Sequence, residues 1–140
     1  MGRICLAVTL DSVAEVVRLV VALVDETGLT PERSYRLRLA AEEIATNIVV
    51  HGYGEAPCPP PDPGFYLEWG SDEDRVWVQL EDGARPFDPT QVPPPDNLGD
   101  PLAQRQEGGL GIHLARDSLD EFSYRRAGGH NRVLLAVRRS

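Results

Sequence analysis

Three polar side chains recur at a spacing of four in a stretch that is otherwise small or apolar: Glu43, Asn47 and His51, within residues 39–53. On a helix that spacing stacks them along one face. A carboxylate, an amide and an imidazole in register can hold a hydrated cation and still leave a base free for proton transfer. Ile44 and Ile48, with Leu37 and Ala41 behind them, form an apolar stripe beside the row. The flanks Ala40, Ala45, Val49 and Val50 are also small or apolar, so the helix is expected to pack on most sides. Its polar row then lines a cleft. His51, a lone imidazole at the helix end, reads as a structural cap rather than a catalyst.

A second cluster, Glu81-Asp82-Gly83-Ala84-Arg85-Pro86-Phe87-Asp88-Pro89, closes an apolar strand. An Asp on a strand end, followed by small residues, can aim its carboxylate into a pocket and accept a hydrogen bond from a nucleobase amine. An acidic turn that merely ends the strand is the equal alternative. A third cluster, Gly108-Gly109-Leu110-Gly111-Ile112, opens a helix. Small residues there expose backbone N–H groups, and the helix dipole favours anions. It does not follow a strand in a βαβ unit and so is not a dinucleotide fingerprint.

The elements that must position these groups follow from patterning. Arg3–Leu10 reads as a strand. A helix follows, capped by Asp11 or Ser12 with Ser12 and Glu15 as a capping box, and ended by Gly28. Its apolar face is Val13, Val16, Val17, Val20, Leu23 and Val24. Thr30-Pro31 opens a second helix that carries the polar row to Gly52 or Gly54. A proline loop over 56–64 leads to two strands, Phe65–Trp69 and Val76–Leu80, joined by an acidic turn. Residues 84–109 are irregular and proline-rich, as expected of a lid or an insert. A short helix over Leu110–Ser118 and a hairpin, Glu121–Arg126 with Arg132–Arg138 around Gly128-Gly129, complete the chain. This order is not an alternating βαβ series. It predicts an α+β fold: a two-layer sandwich of helices on one face of a mixed, mostly antiparallel sheet.

A length of 140 residues suits one domain spanning 1–140. No apolar run approaches the ~20 residues that cross a bilayer, and the start lacks a signal-peptide pattern. With Cys5 and Cys58 as the two cysteines and a structural disulfide not expected, the chain fits the cytosol, away from membranes. The net charge of −8 argues against nucleic acid as a direct partner. All 14 basic residues are arginine. Any side-chain cation on a phosphate is therefore an Arg, and lysine-based P-loop or Schiff-base chemistry is excluded.

Taken in order, the three clusters resemble the GHKL (Bergerat) ATP-binding fold. The segments Glu43-Ile-Ala-Thr-Asn47-Ile-Val-Val-His51-Gly-Tyr53, Pro86-Phe87-Asp88-Pro89 and Asp120-Glu-Phe-Ser-Tyr124 are similar to its anti-sigma factor serine-protein kinase members, of the RsbW/SpoIIAB type. The resemblance spans nearly the whole chain and implies ATP and Mg²⁺ as cofactors. It implies Glu43 as the general base and Asn47 as the metal ligand. Asp82 becomes the adenine reader, with Ala84 and Phe87 beside it. Gly108, Gly109, Leu110, Gly111 and Ile112 become the phosphate loop, and residues 88–107 an ATP lid. Arg105 is the lid's phosphate-contacting candidate, with Arg85 and Arg116 as rivals. The family commonly places Gly where this chain has Ala84. The implied partners are a STAS-type anti-anti-sigma protein and a sigma factor, with the chain as a homodimer. A nucleotide-binding module that switches partners without phosphorylating them is the other class. The catalytic half of a histidine kinase is disfavoured, because there is no room for a phosphoacceptor hairpin.

Overall fold

The computed structural model describes residues 1–52, 64–91 and 116–140. Strand β1 (Gly2–Ala7) leads into helices α1 (Leu10–Thr27) and α2 (Pro31–Asn47). Then come β2 (Gly64–Ser71), β3 (Arg75–Asp82), β4 (Glu121–Ala127) and β5 (His130–Arg138). The strands form one sheet in the order β1-β2-β3-β5-β4. All four pairings are antiparallel, so the mostly antiparallel expectation holds throughout. β3 and β5 are neighbours although β4 lies between them in sequence. The chain therefore takes up the sheet edge at β4 before it returns inward as β5.

Alternation decides which face the helices cover. Val76, Val78 and Leu80 of β3 and Val133, Leu135 and Val137 of β5 are buried with Phe65 and Leu67 of β2. Against them pack Val16, Val20, Leu23 and Val24 of α1 and Leu37, Ala40, Ala41, Ile44 and Ala45 of α2. Each fully buried large side chain contributes about 1.5–3 kcal/mol relative to exposure. No helix among the described residues is long and apolar enough to cross a membrane.

The turn chemistry agrees with the sequence at three places. Gly28 ends α1 in the left-handed region, at φ 70°. Thr30 caps α2 by accepting from the Arg33 N–H at 3.3 Å, with Pro31 in the first turn. Gly128 and Gly129 take φ 59° and 80°, and a two-residue type I′ turn requires two positive φ values.

Two expectations at the β1–α1 junction are corrected. β1 stops at Ala7, because Thr9 is already the N-cap of α1 and Leu10 its first residue. The Ser12–Glu15 capping box is not formed: Ser12 is buried beside the Thr9 hydroxyl at 3.2 Å, and Glu15 instead pairs with Arg18 on the exposed face. The second helix also departs from one regular run. Its α-helical part ends at Asn47 and continues as a π-helical turn over Ile48–Gly52.

Gly64 pairs with Ala7 where β1 ends and β2 begins, and a Cβ there would sit 1.8 Å from the Leu6 carbonyl oxygen. Gly64→Ala should therefore push the strands apart and cost about 1–3 kcal/mol, the range for forced overpacking. A urea midpoint unchanged from the parent would show that the close approach relaxes freely.

Candidate functional site

The ends of β3 and β5 and the C-terminal end of α2 converge on a cavity of about 160 Å³. An apolar cavity of roughly 150 Å³ is enough to admit a single aromatic ring. Ile44, Ile48, Phe87, Pro89 and Val133 supply apolar wall, and Asn47, Asp82, Arg85 and Asn131 supply polar groups. Ala84 lines it too, with its methyl group on a backbone that needs no positive φ.

Asp82 continues the Val76, Val78, Leu80 alternation and so enters the helix-covered face as its one carboxylate on β3. It is only 5% exposed. Its Oδ1 accepts from the Ala84 N–H at 2.9 Å and from Asn131 Nδ2 at 3.0 Å. Among the described residues, the hydrogen bonds to this carboxylate end on Oδ1. Burial pushes the Asp82 carboxyl above its usual range, against the opposing pull of those two hydrogen bonds and the charges of Arg126 and His130.

Asn131 pairs directly with Asp82 in the β3–β5 register, and Arg126 of β4 pairs with Asn131 on the other side. One rung across three strands thus carries a carboxylate, an amide and a guanidinium. Arg126 Nη1 donates to the Ala84 carbonyl at 2.7 Å, and Asn131 Nδ2 donates to the Arg85 carbonyl at 2.9 Å. The loop after β3 is thereby fastened to the sheet. Sequence reasoning missed Asn131, Tyr124 and Arg126. One signal was present: Asn131 shares strand parity with Val133, Leu135 and Val137, and a polar residue on an apolar strand face calls for a partner.

On the opposite face, behind Asp82, the Glu81 carboxylate is 6% exposed. Arg132 Nε donates to it at 2.5 Å, His130 Nδ1 lies at 3.1 Å and Arg3 at 3.5 Å. Burial alone would raise this carboxyl. The hydrogen bonds to His130 and Arg132, with the charges of Arg132 and Arg3, outweigh it and hold the carboxyl below its usual range.

On α2 the polar row is only partly assembled. Asn47 lines the cavity, and its Nδ2 is the buried side-chain polar atom among the described residues that has no hydrogen-bond partner. The α-to-π change directly after it widens the helix at this point, and such π turns are frequent at functional sites. Glu43, one turn earlier, is half-buried and is not part of the cavity wall. Burial first, and then the charge of neighbouring Glu42, push its carboxyl above the usual range. The backbone of His51 lies in the π turn; its side chain lies outside what the structure describes. Arg116 Nη1 donates to the Thr90 carbonyl at 2.8 Å, in the single 3₁₀ turn Pro89–Gln91. Asp88 caps that turn through the Thr90 N–H at 2.9 Å. Arg105 and the Gly108, Gly109, Leu110, Gly111, Ile112 loop lie outside the described residues.

A helix ending in a polar row and packed on an antiparallel sheet whose central strand ends in a buried Asp fits one class of domain. The histidine kinase-like ATPase domain model matches residues 6–137, and the chain belongs to this family. Among curated relatives, the serine/threonine-protein kinase BtrW of Bordetella bronchiseptica is 31% identical over 72% of this chain and 68% of its own length. The serine-protein kinase RsbW of Bacillus cereus is 30% identical over 76% of this chain and 66% of its own. A solved structure holding the RsbU and RsbW domains of a Mycobacterium tuberculosis protein superposes with a TM-score of 0.67. It is 16% identical, and the match covers 98% of this chain and 32% of that one, so it speaks for the fold.

Proposed function

We propose that this chain is an ATP-dependent protein serine kinase of the anti-sigma, partner-switching type. It binds Mg²⁺-ATP in the cavity between α2 and the β3–β5 rung and phosphorylates a STAS-type anti-anti-sigma protein, thereby controlling a sigma factor. The observation that carries the reading is Asp82: a buried carboxylate with one oxygen saturated and the other left for a ligand amine, at the floor of a ring-sized cavity that also holds Asn47.

Each residue has a distinct task. Asp82 accepts the adenine amine, and Ala84 and Phe87 form wall beside the purine. Asn47 would hold the metal. Its buried amide is unsatisfied, and turning it about its last torsion exchanges nitrogen for oxygen, which suits a hard cation. Among the described residues there is no cluster of three or more carboxylate, thiol or imidazole ligands. When bound, Mg²⁺ neutralises phosphate charge, the main electrostatic need of phosphoryl transfer. Glu43 takes the proton of the attacking serine hydroxyl, and its raised pKa moves it toward the range in which a general base works best. The phosphates are assigned to Gly108–Gly111 and Ile112 on the resemblance of that segment. Arg105 assists from the lid.

Calorimetry with ATP, with and without Mg²⁺, tests the binding half. Ligand at a hundred times its dissociation constant should stabilise the fold by ~2.7 kcal/mol. The absence of both binding heat and a thermal shift at millimolar ATP would overturn the reading. A second reading, a nucleotide-dependent switch without phosphoryl transfer, draws on Ala84, whose methyl group stands in the cavity wall where the family commonly has Gly.

A further inference from the structure

Asn131 holds its amide by both ends. Its Nδ2 donates to Asp82 Oδ1, to the Arg85 carbonyl and, at 3.4 Å, to the Ala84 carbonyl. These are all acceptors, so the nitrogen must face them, and the oxygen must face the other way. There Oδ1 accepts from the Tyr124 hydroxyl at 2.6 Å and from the Phe87 N–H at 3.3 Å. The Tyr124 hydroxyl is the shorter of the two contacts on that oxygen. Tyr124 sits on β4 opposite Val133, and its ring packs against the core. The ring does not need the hydroxyl in order to stay there.

We propose that Tyr124 is a positioning residue for purine selectivity, acting through Asn131 on Asp82. The proposal rests on the nucleotide reading above. Tyr124 holds the oxygen end of the amide and so keeps its nitrogen seated on Asp82 Oδ1. That saturates Oδ1 and leaves Oδ2 as the carboxylate oxygen turned to the ligand. A purine with an exocyclic 6-amine donates to it, and a 6-oxo purine meets it acceptor to acceptor. Without the hydroxyl, the Asn131 oxygen keeps only the long bond from Phe87. The amide is then held firmly at its nitrogen end alone, and its looser seat lets Asp82 drift from the amine.

The test compares ATP with inosine triphosphate, which differs at the purine 6-position. Wild-type protein should prefer ATP. Tyr124→Phe should weaken ATP about two- to tenfold, the worth of one hydrogen bond, and leave inosine triphosphate affinity unchanged. In an Asn131→Ala background the same substitution should change neither. Equal loss of both nucleotides in Tyr124→Phe, or no loss of ATP, overturns the positioning role. A Tyr124→Phe effect that persists undiminished in Asn131→Ala also overturns it, since the path would not run through Asn131. Wild-type protein that binds both nucleotides equally overturns the adenine role of Asp82 itself, and wild-type protein that binds neither overturns the nucleotide reading. These failures are read from the parent rather than the variant.

Discussion

Glu43→Ala is expected to abolish phosphoryl transfer while leaving ATP binding intact, and Asn47→Ala to lose both. In the proposed reading Glu43 would act on the nucleophile, whereas Asn47, which lines the cavity, would hold the metal. The two lie one helical turn apart, so a general disturbance of α2 would damage both properties alike in either variant. Only separate tasks give the split. General-base assistance is typically worth ~10²–10⁴ in rate, which a labelled-phosphate assay resolves. The pH dependence adds a second check. Glu43 works as a base only when ionised, so the rate should fall as pH drops through a pKa lying above the ordinary glutamate value. Glu42→Gln removes the neighbouring like charge and should move that acid limb to lower pH. An acid limb unmoved by Glu42→Gln, or lost affinity for ATP in Glu43→Ala, would contradict the assignment.

Asp82→Asn is expected to weaken ATP binding by about ten- to 150-fold, corresponding to roughly 1.5–3 kcal/mol for a hydrogen bond to a charged acceptor. The geometry sharpens this. The Ala84 N–H and Asn131 Nδ2 continue to hold the side-chain oxygen, so the new NH₂ replaces Oδ2 and faces the ligand. Preference should swing toward a 6-oxo purine, measurable by competition between ATP and inosine triphosphate. Stability should move the opposite way. Burial raises the Asp82 pKa in the fold, so the folded state favours the protonated form. That advantage is present below the unfolded pKa and is lost as pH rises through the folded one. At neutral pH the ionised carboxylate is a burden that asparagine lacks, and the ligand-free variant should melt no lower than the parent. Activity and stability commonly conflict in this way at binding sites. A variant that melts well below the parent, or binds ATP equally, would contradict this account of Asp82.

The parts of this fold that follow from local chemistry were legible in the sequence. Gly28 and Gly128-Gly129 set their turns through backbone conformation, Thr30-Pro31 opens α2 through a side-chain cap and a fixed φ, and the period-two strands β2 and β3 formed where alternation placed them. The start of α1 was misread because Thr9, Ser12 and Glu15 offer competing caps, and packing buried Ser12 instead of leaving it to cap. In the candidate site, Asn47 and Asp82 could be named because each interrupts an apolar pattern. Asn131 also interrupts one, on β5, but its meaning depends on the β3–β5 pairing. That pairing joins strands separated by some fifty residues and is invisible to any local period. Tyr124 and Arg126 are further removed still, since they act on Asn131 and the Ala84 carbonyl rather than on the cavity.

The most direct measurement incubates the chain with Mg²⁺, γ-phosphate-labelled ATP and purified STAS-domain proteins. The expected result is Mg²⁺-dependent label on a serine of one STAS partner with wild-type protein, and none with Glu43→Ala although that variant still binds ATP. Wild-type protein that binds ATP yet leaves every STAS partner unlabelled, with Glu43→Ala indistinguishable from it in partner binding, would contradict the kinase and leave a nucleotide-dependent switch in its place.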